Sequence, residues 1–186
     1  MTAPRACILS VSGHTLTDGE RKLLASANPW GIILMGRSCG NPAQVTALTE
    51  AIRQATGRNT LIFIDQEGGR VRRLRPPEWP DFPAPLTWLA LYNQDKELGR
   101  EAVWLHHRLM AAELEPMGIR ADCAPCCDLL HPNMDKIVGD RALGETAEQV
   151  ADLAQSALKG LADGGVSGVI KHMPGHGRAE VDSHET

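Results

Sequence analysis

Gly31-Ile32-Ile33-Leu34-Met35-Gly36 is a continuous apolar run bounded by glycines. This pattern is typical of a strand covered on both faces, whereas a strand with one face in water alternates apolar and polar residues. Short apolar runs of the same kind predict four further buried strands, over residues 6–13, 61–64, 119–128 and 166–170. Strands buried on both faces favour an α/β fold with a parallel sheet.

Helical patterns separate these runs. Thr17 predicts the N-cap of a helix that continues to about residue 27, and Asn41-Pro42 begins a second helix that Gly57 ends. Two longer helices are predicted over 98–117 and 146–162. Their buried sides are expected to hold Val103, Leu105, Leu109, Ala112 and Leu114 in the first, and Val150, Leu153, Ala157, Leu158 and Leu161 in the second.

Two segments are expected to be ordered loops. Residues 75–85 hold five prolines in eleven positions, too many for regular structure, and residues 129–144 are polar. The alternation of strands and helices leaves two architectures open, a doubly wound open sheet and a (β/α)8 barrel. In both, functional side chains gather where the strands end, which here places Asp65, Asp128 and the Lys171-His172 pair on one face.

Composition excludes several classes of protein. The 186 residues can form one substantial core, and the net charge of −4 gives no general attraction to nucleic acid or to an acidic membrane surface. No apolar run approaches the ~20 residues of a membrane span, so we expect a soluble, cytoplasmic protein. Five cysteines, an odd number, favour reduced thiols over a disulfide framework.

The last residues combine a strand end with a polar loop. Pro174, Gly175 and Gly177 prevent a helix after Lys171-His172, and Asp182 lies two residues before His184. A carboxylate at that spacing can orient and charge-stabilise an imidazole, as a proton-transferring histidine requires.

Two further motifs remain ambiguous when each is considered alone. Residues 64–74 carry two carboxylates, two glycines and three arginines directly after a strand, which indicates either a polar binding pocket or an acidic turn with solvated arginines. Arg141 is either a pocket residue or a surface residue paired with Asp140.

Metal binding is not expected from the spacing of the histidines and cysteines. His172, His176 and His184 fit no common zinc pattern, and Cys123-x-x-Cys126 has no second pair to complete a zinc site. We expect these cysteines to fill a strand as small apolar residues, and we expect no metal and no cofactor.

Taken together, the motifs resemble glycoside hydrolase family three, and more narrowly its single-domain bacterial β-N-acetylglucosaminidases (β-hexosaminidases) of peptidoglycan recycling. The resemblance rests on Ile64-Asp65-Gln66-Glu67-Gly68-Gly69-Arg70-Val71-x-Arg73, Gly139-Asp140-Arg141-x-x-Gly144, Lys171-His172-x-Pro174-Gly175-His176-Gly177 and Asp182-Ser183-His184. It implies a (β/α)8 TIM barrel, of which this chain holds the first five βα units. It also implies a retaining exo-hydrolysis of terminal, non-reducing β-N-acetylglucosamine from anhydromuropeptide fragments in the cytoplasm.

The resemblance implies roles for matched residues. Asp65, Arg73, Arg141, Lys171 and His172 would bind the hydroxyls of the sugar, and His184, partnered by Asp182, would be the general acid/base. The nucleophile of the family is an aspartate on a later strand, so we expect it beyond residue 186. Residues 1–186 are then the amino-terminal part of one catalytic domain with no second domain, which we expect to be a monomer when complete.

Two other readings stay open. The chain could belong to a non-catalytic sugar-binding or remnant domain of the same fold, or to a metal-dependent hydrolase that uses the histidine loop.

Overall fold

The computed structural model describes residues 3–182. Five parallel strands form one sheet: β1 (Arg5–Ser10), β2 (Pro29–Leu34), β3 (Leu61–Ile64), β4 (Ala121–Asp122) and β5 (Ser167–Gly168). Five α-helices of the described residues connect them: α1 (Asp18–Ala27), α2 (Pro42–Thr56), α3 (Thr87–Gln94), α4 (Lys96–Leu114) and α5 (Ala147–Asp163). None of the helices within residues 3–182 is both long enough and apolar enough to span a membrane.

The strand order distinguishes the two architectures that the sequence left open. The strands lie side by side in chain order, β1-β2-β3-β4-β5. A doubly wound sheet reverses its strand order at a switch point, whereas a barrel adds each strand beside the previous one. The sheet therefore has the topology of a (β/α) barrel, and the carboxyl ends of its strands form one face.

Local capping explains why the first two helices begin where they do. The Thr17 hydroxyl accepts a hydrogen bond from the Glu20 backbone N–H at 3.2 Å, and the Glu20 carboxylate accepts one from the Thr17 N–H at 2.8 Å. The Asn41 side chain accepts from the Gln44 N–H at 2.9 Å, directly before Pro42 in the first turn of α2. Both predicted starts are confirmed.

The connection between β3 and β4 differs from the prediction. The sequence predicted one helix from residue 98, but the structure has an additional helix, α3, and α4 begins at Lys96. Asp95 separates the two helices, because its carboxylate accepts hydrogen bonds from the N–H groups of Glu97 and Leu98 at 2.9 and 3.3 Å. Helix α3 is only eight residues long and buries Leu89 and Tyr92, so its apolar pattern was too short to recognise.

The predicted buried side of α4 is only partly correct. Val103 and Leu114 are fully buried, but Leu105 and Leu109 are 47% and 51% exposed, and Ala112 is exposed as well. His106, His107, Met110 and Ala111 are buried instead. The reason is packing, since the face that contacts α3 and α5 includes the two histidines. In α5, four of the five predicted residues are buried and Leu158 is half-buried.

The last two strands are shorter than predicted. Only Ala121–Asp122 and Ser167–Gly168 pair as regular strand, and the ladder resumes as a single bridge between Cys126 and Lys171. Val169 and Ile170 were predicted to be buried but are 39% and 47% exposed, because no described strand lies beyond β5 to cover them.

Candidate active site

Asp65 lies at the centre of a charged cluster where β3 ends. One carboxylate oxygen is 2.9 Å from Nζ of Lys171, and the other accepts a hydrogen bond from Arg73 at 2.8 Å. Burial alone would raise the pKa of Asp65, but the charges and hydrogen bonds of Lys171 and Arg73 outweigh it and hold the pKa below its ordinary value. Asp65 is therefore an ionised carboxylate at neutral pH, and both of its oxygens can accept hydrogen bonds from hydroxyl groups.

Glu67 is a second carboxylate of this cluster that the sequence analysis did not assign. Its side chain is 1% exposed, and it binds Arg141 through two hydrogen bonds of 2.8 and 2.9 Å. The same carboxylate is 2.5 Å from Nζ of Lys171. Its position in the same motif, two residues after Asp65, was the one indication in the sequence that Glu67 belongs to the cluster. Its pairing with Arg141 could not be predicted, because Arg141 lies 74 positions away.

Lys171 joins the two carboxylates. Burial alone would lower the pKa of Lys171, but the charges of Glu67 and Asp65 outweigh it and raise that pKa. The order of contacts is Arg73, Asp65, Lys171, Glu67 and Arg141, so cations and carboxylates alternate through the cluster. Such an arrangement presents fixed donors and acceptors to a ligand that is rich in hydroxyl groups.

Gln66 holds the chain on which Arg73 lies. Its side-chain oxygen accepts hydrogen bonds from the N–H groups of Arg73 and Leu74 at 2.9 and 3.1 Å, and its amide donates to the Leu74 carbonyl at 3.2 Å. The Gln66 backbone N–H in turn donates to the Asp122 carboxylate at 2.9 Å. The segment after β3 thus folds back on itself and returns Arg73 to Asp65.

Arg141 is a buried residue rather than a surface residue. The alternative that it pairs with Asp140 is wrong, because Asp140 accepts a hydrogen bond from Arg70 at 2.9 Å while Arg141 is buried against Glu67. Arg70 also donates to the backbone carbonyls of Lys136 and Ile137, at 2.8 and 2.6 Å. Arg70 therefore fixes the loop that delivers Arg141.

His172 extends the cluster through a different partner. Its Nδ1 is 2.5 Å from a carboxylate oxygen of Asp128, which is 2% exposed, and the other oxygen of Asp128 accepts the backbone N–H of His176. Burial alone would raise the pKa of Asp128, but the hydrogen bonds from His176 and His172 outweigh it and lower that pKa. The His172 side chain is 43% exposed and so remains open to a ligand.

The structure thus brings four of the predicted sugar-binding residues, Asp65, Arg73, Arg141 and Lys171, into one network, and places His172 beside it. Asp182 is half-buried near the end of the described chain. The proposed acid/base His184 lies outside the described residues.

Comparison with known proteins decides the family. The sequence profile described as "Glycosyl hydrolase family 3 N terminal domain" matches residues 6–186. The chain belongs to glycosyl hydrolase family 3.

Curated relatives and solved structures of this family cover nearly the whole chain. The chain is 37% identical over 177 residues to a protein named beta-hexosaminidase from Thioalkalivibrio sulfidiphilus. The aligned residues cover 95% of this chain and 50% of that protein. A beta-hexosaminidase from Bordetella avium is 36% identical, over 97% of this chain and 51% of the relative. The chain spans about half the length of the curated relatives it matches.

The fold is also that of a solved family 3 structure. NagZ from Neisseria gonorrhoeae, crystallised with N-trifluoroacetyl-D-glucosamine, superposes with a TM-score of 0.91 at 33% identity. The match covers 98% of this chain and 54% of that one. The expectation of a glycosyl hydrolase family 3 fold is confirmed.

Proposed function

We propose that this chain is the amino-terminal part of the catalytic domain of a retaining exo-β-N-acetylglucosaminidase. The substrate would be a terminal, non-reducing β-N-acetylglucosamine on anhydromuropeptide fragments of peptidoglycan, hydrolysed in the cytoplasm by an enzyme that is a monomer when complete. The observation that carries the proposal is the network in which Lys171 joins Asp65 to Glu67, with Arg73 and Arg141 at its two ends.

The network suits the substrate because a hexosamine presents several hydroxyls around one ring. Each hydroxyl both donates and accepts, so adjacent carboxylates and cations can satisfy it in both senses. Groups held by ion pairs lose little freedom when the sugar binds, which favours precise positioning of the scissile bond. The names of the family 3 relatives, beta-hexosaminidase and a NagZ bound to a glucosamine derivative, support the same substrate class.

The chemical step would use His184 as general acid/base with Asp182 as its orienting partner. A protonated imidazole would donate a proton to the leaving oxygen, and the neutral imidazole would later accept a proton from water. The ordinary pKa of histidine, about 6.5, suits both steps near neutral pH. The nucleophile would be an aspartate on a later strand beyond residue 186, so the complete protein is needed for turnover.

Hydrolysis of a series of aryl β-N-acetylglucosaminides by the complete protein tests this function. His184→Ala should slow hydrolysis strongly for poor leaving groups and much less for good ones, because only poor leaving groups need the proton. Equal losses across the series would contradict the acid role. Saturable N-acetylglucosamine binding without any hydrolysis would instead support a non-catalytic sugar-binding domain, and loss of activity on chelation would support a metal-dependent hydrolase.

A further inference from the structure

We infer that Cys126, Asp128 and His172 form a binding site for a soft divalent cation such as Zn²⁺. Each of the three residues offers one ligand atom, and these atoms all lie within 4.8 Å of one another. The inference concerns binding alone, so it holds whether or not the complete protein hydrolyses sugars.

The three ligand atoms are grouped around one carboxylate oxygen of Asp128. Sγ of Cys126 and Nδ1 of His172 both point to the same carboxylate oxygen of Asp128, at 3.3 and 2.5 Å. Tetrahedral zinc with bonds of ~2.0–2.3 Å separates its ligand atoms by about 3.3–3.7 Å. The cysteine and aspartate atoms already have this separation. His172 must turn so that its Nδ1 moves about 1 Å away from the Asp128 oxygen while coming within ligand distance of Sγ of Cys126, from which it is at most 4.8 Å away. Its side chain is 43% exposed and has room to do so.

Two of the three ligands are held rigidly. Cys126 and Asp128 are 1% and 2% exposed, and Cys126 pairs with Lys171 in the bridge that joins the two strand ends. The backbone N–H of His176 donates to the oxygen of Asp128 that faces away from the cluster. A hydrogen bond of this kind orients a ligating carboxylate and is a common feature of metal sites.

Solvent can supply a fourth ligand. Water can reach the ligand atoms past His172, whose side chain is 43% exposed, whereas the cleft beside Asp128 is lined by neither Cys126 nor His172. Three protein ligands and one open position are typical of zinc sites that exchange a water molecule.

Charge and protons balance on binding. The cation replaces the thiol proton of Cys126, which passes to solvent, and it binds Nδ1 of His172 in the tautomer that carries its proton on Nε2. The thiolate and the Asp128 carboxylate then neutralise the two positive charges. Sulfur and imidazole ligands favour Zn²⁺ or Co²⁺, whereas Mg²⁺ and Ca²⁺ prefer sites made entirely of oxygen atoms.

Spacing along the sequence concealed this site. The Cys-x-x-Cys pattern pairs Cys126 with Cys123, whereas the cluster combines Cys126 with Asp128 and with His172, which lies 46 positions later than Cys126. The expectation that Cys126 serves only as a small apolar residue is therefore replaced by this proposal.

Titration of the tag-free chain with Zn²⁺, in competition with a chromophoric chelator, tests the inference. We expect one saturable site that Mg²⁺ and Ca²⁺ do not occupy. Titration with Co²⁺ should produce the near-ultraviolet charge-transfer absorption of a thiolate ligand, and this readout needs no variant. Absence of that band at saturating Co²⁺ would overturn the inference.

The matched variants are Cys126→Ser and Cys127→Ser. Cys127 is the neighbouring thiol, but its sulfur faces the Pro125 carbonyl and does not belong to the cluster. Cys126→Ser should weaken Zn²⁺ binding at least about tenfold and abolish the cobalt band, while Cys127→Ser should change neither. Equal effects of the two substitutions, in variants with unaltered circular dichroism spectra, would overturn the proposed ligand set.

Discussion

Glu67 is the residue on which two cations of the cluster depend. It is 1% exposed and is the shared partner of Arg141 and Lys171. Removing one partner from a buried ion pair typically costs about 3–5 kcal/mol, because the remaining charge stays buried without compensation. We predict that Glu67→Gln lowers the free energy of unfolding by about 3 kcal/mol, measured by urea denaturation at pH 7.

Glu115→Gln is the matched control for this prediction. Glu115 pairs with Arg120, but the two side chains are 40% and 43% exposed, so water screens the interaction. The control should leave the urea midpoint nearly unchanged. If Glu67→Gln were as mild as Glu115→Gln, the cluster would not be a fixed network.

Asp122 is a buried carboxyl group whose protonation should make stability depend on pH. Burial raises its pKa well above the ordinary 3.8, and no described residue donates a hydrogen bond to its Oδ2. When folding raises the pKa of a carboxyl group, the folded protein is most stable below the pKa that the group has in the unfolded chain. The free energy of unfolding then decreases as the pH rises from that value through the pKa of the folded state.

Asp122→Asn should remove this dependence, because asparagine is a neutral isostere that can still accept from the Gln66 N–H. We predict that the variant is more stable than the wild type at pH 7, and that the difference shrinks toward zero as pH falls below 3.8. Urea midpoints over this pH range measure the effect. A variant that is less stable by the same amount at every pH would show that Asp122 does not titrate in this way.

At the scale of elements, two helices pack so closely that only glycine fits between them. A Cβ atom at Gly160 of α5 would lie 2.3 Å from the backbone carbonyl oxygen of Trp104 and 3.0 Å from the backbone nitrogen of Arg108, both in α4. Overpacking of this kind costs about 1–3 kcal/mol, more than the ~1 kcal/mol that alanine gains over glycine in a helix. We predict that Gly160→Ala lowers the melting temperature.

Gly19→Ala provides the opposite case in α1. A Cβ atom at this position would have the Thr17 hydroxyl oxygen as its nearest neighbour, at 4.0 Å, so alanine fits without a clash. The higher helix propensity of alanine should then stabilise α1. This substitution should raise the melting temperature slightly. Equal shifts for the two variants would mean that the α4–α5 contact is not tight.

The elements differ in how well the sequence predicts them. The ends of α1 and α2 were predicted closely, because Thr17, Asn41 and Gly57 cap them through hydrogen bonds to residues only three positions away. The buried face of α4 was not, because the ring of His106 packs edge-on against Phe82 and Trp88, with centroids 5.5 and 5.4 Å away. A polar residue that is buried by aromatic rings from other parts of the sequence cannot be recognised from the pattern of its own helix.

At the scale of the whole molecule, the sequence predicted which residues gather at the strand ends but not how they pair. Parallel strands in chain order bring Asp65 and Lys171 to one face even though 106 positions separate them. The return of Arg73 to Asp65 and the burial of Arg141 against Glu67 depend on two irregular loops, whose course no periodic pattern describes.

Under the proposed function, this face of the sheet holds a single N-acetylglucosamine. A crystal structure of the complete protein with N-acetylglucosamine bound would show where the sugar lies. We predict that the sugar lies over the carboxyl ends of β3 and β5, with its hydroxyls within hydrogen-bond distance of Asp65, Arg73, Arg141 and Lys171. A sugar bound elsewhere, with this network intact and unoccupied at saturating ligand, would contradict it.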